Sequence, residues 1–324
     1  MPMQPIDVLR RFRAAPSRLE QEQVLLEAFT AGCHVFFIGM RLSADPFYTF
    51  GLNRVAMIYE DTEDSGGTFS FAAFEALAAR LYGRLDDAAI ARAMIHRAAE
   101  HCDGACWNEF YRRILLKTLH SGLDLRLFSR IYKRLGDNPE VASFMIPQRF
   151  WQRSQPASAT QAIPADAYLI DGCMVGERLL AVLDTASTIS FHTAKAPRDC
   201  PALHAALRPL FERLPGSLVF DGVLHDGRYT IFDILPFAAY KIGGTDQSQR
   251  QRHATLVAMQ EAGCFAPPLA VLPKLDFSGT ITDLATIHRQ MANDGYLAMF
   301  LKRAAAGYDG SAKSGAWRKI STSR

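Results

Sequence analysis

The hydrophobic pattern changes period partway along this chain, and no single architecture accommodates both halves. From Pro5 to Lys133 apolar residues recur at three- and four-residue spacing, as in Val24, Leu25, Ala28 and Phe29 and again in Phe71, Phe74, Leu77, Ala78 and Leu81. That is the stripe of an amphipathic helix. Breaks at Ser43 to Pro46, Asp64 to Gly67 and Gly83 to Asp87 punctuate it, and Asp86 and Asp87 supply a cap and a first-turn acid. Roughly five to seven helices are expected. Between Pro147 and Pro164 the composition shifts to Gln, Ser, Ala, Thr and Pro, as in a linker. Short apolar or alternating runs then predict strands at Tyr168 to Ile170, Arg178 to Leu183, Thr188 to His192, Ser217 to Phe220 and Tyr229 to Leu235. Helical patterns are interposed at Ala202 to Leu214, Ser248 to Glu261 and Ile281 to Asn293. The expected organisation is a helical domain over 1–148, a linker over 149–164, and an α+β domain with antiparallel sheets over 165–324.

Length and composition agree with two globular domains. The 324 residues are 49% apolar and 21% charged, which excludes wholesale disorder, collagen and coiled coil. No apolar run approaches the roughly 18 residues of a spanning helix, so no membrane association is expected. The N-terminus carries Asp7, Arg10, Arg11 and Arg13 among single apolar residues, unlike a secretory signal. Six cysteines in so long a chain do not form a disulfide framework, and a reducing, cytoplasmic setting is expected.

Net charge is only +3, but its distribution is uneven. Ala105 to Leu135 holds Arg112, Arg113, Lys117, Arg126, Arg130, Lys133 and Arg134 against Glu109 and Asp124, and Phe300 to Arg324 holds six basic residues against Asp309. Such patches are either solvated faces or the electrostatic footprint of a polyanion. His101, Cys102 and Cys106 offer three soft ligands where a structural zinc site needs four, so they read as thiols in a core. Gly243-Gly244 lacks the following Lys-Ser/Thr of a phosphate loop. No resident metal is expected.

The C-terminal half presents an ordered series: Asp171-Gly172 after a strand, Asp221-Gly222 between strands, and Ile231-Phe232-Asp233. Gly295 to Lys302 and Trp317-Arg318-Lys319 follow. Each Asp-Gly taken singly reads as a hairpin turn. Taken together, the series resembles the nucleotidyltransferase domain of ATP-dependent DNA ligases, whose pattern runs Lys-x-Asp-Gly-x-Arg, Ser-Arg, Asp-Gly-Glu, aromatic-Asp, Glu-Gly-x-x-x-Lys and Trp-x-Lys-x-Lys. In the first half, Thr49 to Arg54 and Arg113 to Gly122 resemble the helical DNA-binding segment of small bacteriophage-type ligases, so the resemblance covers nearly the whole chain.

The resemblance implies a nucleotidyltransferase fold, and it also shows what has changed. The family's lysine, which attacks the α-phosphate of ATP, is replaced by Leu169, and a hydrocarbon has no lone pair to donate. The nucleotide-contacting arginine corresponds to Met174, and the arginine of Ser-Arg to Phe191. The carboxylates for ribose and metal correspond to Val223 and Leu297. A divalent cation needs oxygen ligands that these side chains lack, so neither a catalytic residue nor a cofactor is expected. Exchanging buried ionic groups for hydrophobes is often neutral or stabilising by ~1–4 kcal/mol, and the former pocket is expected to be filled core. Phe232, Lys302 and Lys319 keep the identities that stack on adenine or contact phosphate in active relatives; they read equally as core aromatic and basic surface. The family's oligonucleotide-binding domain would follow Trp317-Arg318-Lys319, and the sequence implies that it is lacking.

The resulting expectation is a non-catalytic ligase-like protein that binds nucleic acid or serves as an accessory subunit of a nucleic-acid-processing complex. Duplex DNA would be held through its phosphates by Arg54, Arg112, Arg113, Lys117, Arg126, Arg130 and Lys133. Two alternatives stay open: an active ligase with a rearranged nucleophile, for which Lys195 and Lys241 are poorly placed in sequence, and a structural subunit that binds protein alone.

Overall fold

The computed structural model describes residues 3–59, 69–82, 86–135, 141, 144–147, 150–157, 167–184, 188–211, 213–214, 216–310 and 315–321. The chain divides into two compact units, Met1–Gln148 and Arg149–Arg324.

The first unit is helical. Pro5–Ala14 (α1) has its proline in the first turn, where no backbone donor is missed, with Asp7 near its start and Arg11 and Arg13 near its end. Arg18–Thr30 (α2) is capped by Ser17, which accepts from the Glu20 N–H. His34–Ala44 (α3) buries Phe36, Phe37 and Met40 completely. Phe71–Tyr82 (α4) precedes Ala88–Glu100 (α5), whose cap is Asp87, accepting from the Ala89 and Ile90 N–H groups. Asp86, expected to be the cap, instead pairs with Arg80 of α4, and Asp87, expected to be the first-turn acid, takes the cap position.

Gly104–Cys106 (α6) runs through a π-helical stretch, Trp107–Tyr111, into Arg112–Leu115 (α7), and Leu125–Leu135 (α8) follows. The wide turn packs Phe110 against α3 so tightly that a Cβ at Gly39 would meet the Phe110 ring at 2.6 Å. Among the described residues no single helix is long and apolar enough to cross a membrane.

The second unit is α+β. One sheet has the order β1-β13-β11-β2-β10, from Ser154–Pro156 (β1), Tyr168–Cys173 (β2), Leu275–Phe277 (β10), Ala298–Arg303 (β11) and Trp317–Ser321 (β13). The other has the order β5-β4-β3-β6-β7-β9, from Glu177–Leu183 (β3), Ile189–His192 (β4), Pro197–Arg198 (β5), Leu218–His225 (β6), Arg228–Pro236 (β7) and Leu269–Val271 (β9). Gly244–Thr245 (β8) pairs with Tyr308–Asp309 (β12). Pairing in the two main sheets is antiparallel except for β1 with β13 and β7 with β9.

The second unit's helices are Pro201–Leu207 (α9), Phe237–Lys241 (α10), Gln249–Glu261 (α11) and Ile281–Asn293 (α12). Side chains of α9 and α11, Leu203, Leu207 and Leu256, close one face of the β3-containing sheet over Leu179 and Phe220. Leu284 and Met291 of α12 close one face of the β2-containing sheet over Ile170 and Met299.

Two expectations need correction. The stretch read as linker supplies strand β1 and packs into the second unit, where the Phe150 ring stacks on Tyr240 at 4.4 Å and the two residues exchange hydrogen bonds; residues 158–166 lie outside those described. Nor are the two Asp-Gly pairs turns. Both sit inside strands, β2 and β6, the second at a register shift against β7. The hairpin turn is Asp226-Gly227, with φ of 46° and 77°, as a two-residue turn matched to strand twist requires.

Candidate functional site

Strand β2 is central to the site because its two neighbours each bring a lysine to the same carboxylate. Residues directly opposite in an antiparallel pair share a face of the sheet. Lys302 on β11 lies opposite both Leu169 and Trp317, and Phe300 lies opposite Asp171 and Lys319. One face therefore presents Leu169, Asp171, Phe300, Lys302, Trp317 and Lys319, and the other turns Ile170, Met299 and Leu301 toward α12.

Asp171 is 1% exposed and accepts from Lys274 Nζ at 2.5 Å and Lys302 Nζ at 2.6 Å, both on Oδ2. Burial opposes ionisation of Asp171, but the two ammonium groups outweigh it and hold the carboxyl below its ordinary range. Burial and the neighbouring Lys274 pull Lys302 down against the attraction of Asp171.

The β3-containing sheet contributes a second pair, a half-buried guanidinium on a buried carboxylate. Arg178 donates from Nε and Nη2 to Asp221 at 2.9 and 2.5 Å and from Nη1 to the Gln152 carbonyl at 3.0 Å, while the Tyr308 hydroxyl donates to Asp221 at 2.7 Å. A third pair, Arg252 with Asp233, is fully buried, with 2.8 Å between Nε and Oδ1. Aromatic rings fill the space between these charges. Lys302 Nζ lies 4.0 Å from the centre of Trp317 and 4.6 Å from that of Phe232, within cation–π range.

A cavity of about 160 Å³ remains here, with Asp171, Arg178 and Lys302 among its walls. The expectation of filled core is thus wrong: large aromatic side chains meet at an angle, Phe232 and Trp317 at 70°, and leave room between them. The substituted positions separate. Met174 and Val223 line the cavity. Leu169 is 2% exposed, buried on the strand opposite Lys302. Phe191 faces away, in the core under α9 with Cys200 and Leu203, because alternation along β4 sends it to the opposite side of the sheet from His192. Leu297 is 48% exposed and outside the cavity. Of the three retained residues, Phe232 and Lys302 line it, and Lys319 lies beside it, 5.8 Å from the Phe300 ring centre.

Arg178 and Lys274 were not foreseen. An inward-facing arginine on a strand with Leu180 and Val182 was a usable signal for the first; nothing local marks Lys274, which meets Asp171 only through strand pairing. Lys195 and Lys241 are both exposed and outside the cavity. Among the described residues no cluster of three or more His, Cys, Asp or Glu side chains could hold a metal ion. Cys102 is buried, and a hydrogen bond to Cys106 together with burial pushes its thiol up.

In the helical unit the basic residues divide into two kinds. Lys117 is turned inward, with its Nζ donating to the Leu42 and Asp45 carbonyls at 2.6 Å each. It sits at φ 58° beyond α7 and satisfies carbonyls that the end of α3 leaves without partners, so it is not a free phosphate contact. Arg112 Nε donates to the Val55 carbonyl and Arg113 Nη2 to the Thr118 carbonyl. Arg54 and Arg126 are exposed, and Arg130 is 3.3 Å from Glu22. The side chain of Lys133 lies outside those described.

No protein-family model matches the chain, and no curated protein does. Two solved structures, described as Pmar-Lig_Pre. and Pmar-Lig_PreS3, are each 20% identical and align with a TM-score of 0.51 over 98% of this chain and 78% of theirs. The ligase domain of M. tuberculosis LigD aligns at 18% identity over 52% of this chain and 57% of its own, with a TM-score of 0.38. The architecture is a helical unit followed by an α+β unit with mainly antiparallel sheets, with the fold of ligase nucleotidyltransferase domains. At these identities the likeness is one of fold.

Proposed function

We propose that this protein is a ligase-like nucleic-acid-binding protein that does not adenylylate itself. The observation that supports this reading is Leu169, buried on the strand opposite Lys302, where the ligase pattern has its nucleophile. The amines nearby are committed: Lys274 and Lys302 both bind Asp171, and all of Arg178's bonded nitrogens are engaged by Asp221 or Gln152. Met174 and Val223 in the cavity wall offer neither a phosphate contact nor a metal ligand.

Binding to duplex DNA would rest on phosphate contacts from Arg54, Arg126 and Arg130, with Arg112 and Arg113 using the nitrogens not bonded to carbonyls. Such binding is independent of sequence and weakens with salt by about 0.9 in the log–log slope per phosphate neutralised. In an anisotropy titration of the full chain against duplex DNA, the double variant Arg126→Ala and Arg130→Ala should reduce that slope by roughly two. Binding at low salt no stronger than that of a neutral control protein would end this reading.

A second reading, an active ligase with a relocated nucleophile, draws support from Lys274, an amine brought beside β2 by β10. Transfer of labelled AMP to the chain separates the two.

A further inference from the structure

We propose that the cavity between Phe232, Phe300 and Trp317 binds a small planar aromatic monoanion that carries a hydrogen-bond donor, in place of a nucleotide. The inference rests on the reading that ATP chemistry has been lost from this site.

Size sets the first limit. The cavity is about 160 Å³, close to the ~150 Å³ that accommodates a benzene ring and well below the ~300–1,000 Å³ of sites that enclose larger ligands. Its aromatic walls suit one flat ring.

Charge sets the second. Half-buried Arg178 balances buried Asp221, and buried Arg252 balances buried Asp233. Asp171 alone faces two ammonium groups, Lys274 and Lys302. His253 is pushed down to about 4 by burial and by Lys274, so it is neutral near pH 7 and changes nothing. With both amines protonated the interior holds one positive charge in excess, which is costly without a counter-ion. Burial and Lys274 lower Lys302, on the cavity wall, to about 7, so near neutral pH that charge is only partly present and an anion beside Lys302 would hold the proton in place.

The third limit is an unmet acceptor. Asp171 lines the cavity, and its Oδ1 is buried with no hydrogen-bond partner among the described residues, since both lysines take Oδ2. Buried polar atoms are seldom left so. A ring bearing an anionic oxygen for Lys302 and an adjacent O–H or N–H for Asp171 Oδ1 meets both needs at once.

Salicylate has this chemistry; benzoate lacks the donor, and benzamide lacks the charge. Isothermal titration calorimetry of the full chain with each probe should give one site for salicylate, at least tenfold tighter than for either analogue. Lys302→Met should weaken salicylate at least tenfold. Val223→Glu, which adds a carboxylate to the wall without touching the Asp171 cluster, should do the same while leaving benzamide unchanged, so the test survives if the lysine variant fails to fold. Equal binding of benzamide and salicylate, no salicylate binding, or ATP binding that salicylate cannot displace would overturn the proposal. Failure here with no AMP adduct formed leaves the loss of adenylylation standing; an adduct would remove that reading separately.

Discussion

Replacing Leu169 with lysine would put back the amine of the ligase pattern, but into a strand position opposite Lys302 and two residues from Asp171. Opposite residues of an antiparallel pair have Cα atoms about 4.5–5.5 Å apart, so the new ammonium would lie on the order of 5 Å from that of Lys302. At an effective dielectric near 20, two like charges at that distance repel by about 3 kcal/mol. Asp171 cannot offset this, since it already serves Lys274 and Lys302. Loss of a buried apolar side chain and desolvation of the new charge bring the expected destabilisation to roughly 3–5 kcal/mol. For a unit of this size that lowers Tm by roughly 6–20 °C. Denaturant unfolding followed by tryptophan fluorescence reads the second unit through Trp151 and Trp317. The penalty should shrink as pH rises and the crowded amines lose protons. Adding Val223→Glu should recover part of it, because residue 223 lines the same cavity as Lys302. Leu169→Lys alone should form no AMP adduct. A stability change under about 1 kcal/mol would show that position 169 does not share a buried face with the lysines and would refute the reasoning, given that surface substitutions fall in that range.

Asp171→Asn should destabilise the second unit by roughly 3–5 kcal/mol, because it leaves Lys274 and Lys302 buried without their counter-charge; the same denaturant titration measures it. Lys117 is held down to about 8 by burial, against the opposing pull of Asp45. The unfolded chain therefore binds the extra proton between that value and the ordinary 10.5. Stability should rise with pH across this window, by at most ~1.4 kcal/mol per pH unit, and level off below about 8, where both states carry the proton. Lys117→Met should flatten that rise in unfolding curves taken between pH 8 and pH 10.

What could be read from the sequence was whatever local pattern determines. The period change separated helical from strand-bearing segments, the Asp86-Asp87 pair marked a helix start to within one residue, and Ile281–Asn293 was legible from its apolar spacing. Each of the five strands foreseen is present, most of them longer, because Asp171-Gly172 and Asp221-Gly222 continue strands that looked finished. Helix α9 is shorter than the pattern suggested, passing at Arg208–Leu210 into a 3₁₀ turn. The short strands β9 to β13 were missed: two to six residues carry too little periodicity to register.

The site was legible as a set of motif frames and illegible as a charge network. Lys274 reaches Asp171 across 103 residues of sequence and Lys302 across 131, and only sheet register puts them together. Phe191 was assigned to the pocket by motif alignment, whereas side-chain alternation on β4 places it in the opposite core. Lys117 looked like a phosphate contact because sequence shows a charge but not the direction in which it points.

Incubation of the full-length protein with α-³²P-labelled ATP and a divalent cation, followed by denaturing electrophoresis, tests most directly whether the chain has lost adenylylation. No label should be retained by the protein, with or without nicked DNA. A covalently labelled band that disappears in Lys274→Met or Lys302→Met would contradict this outright and establish a working nucleophile where Leu169 was taken to rule one out.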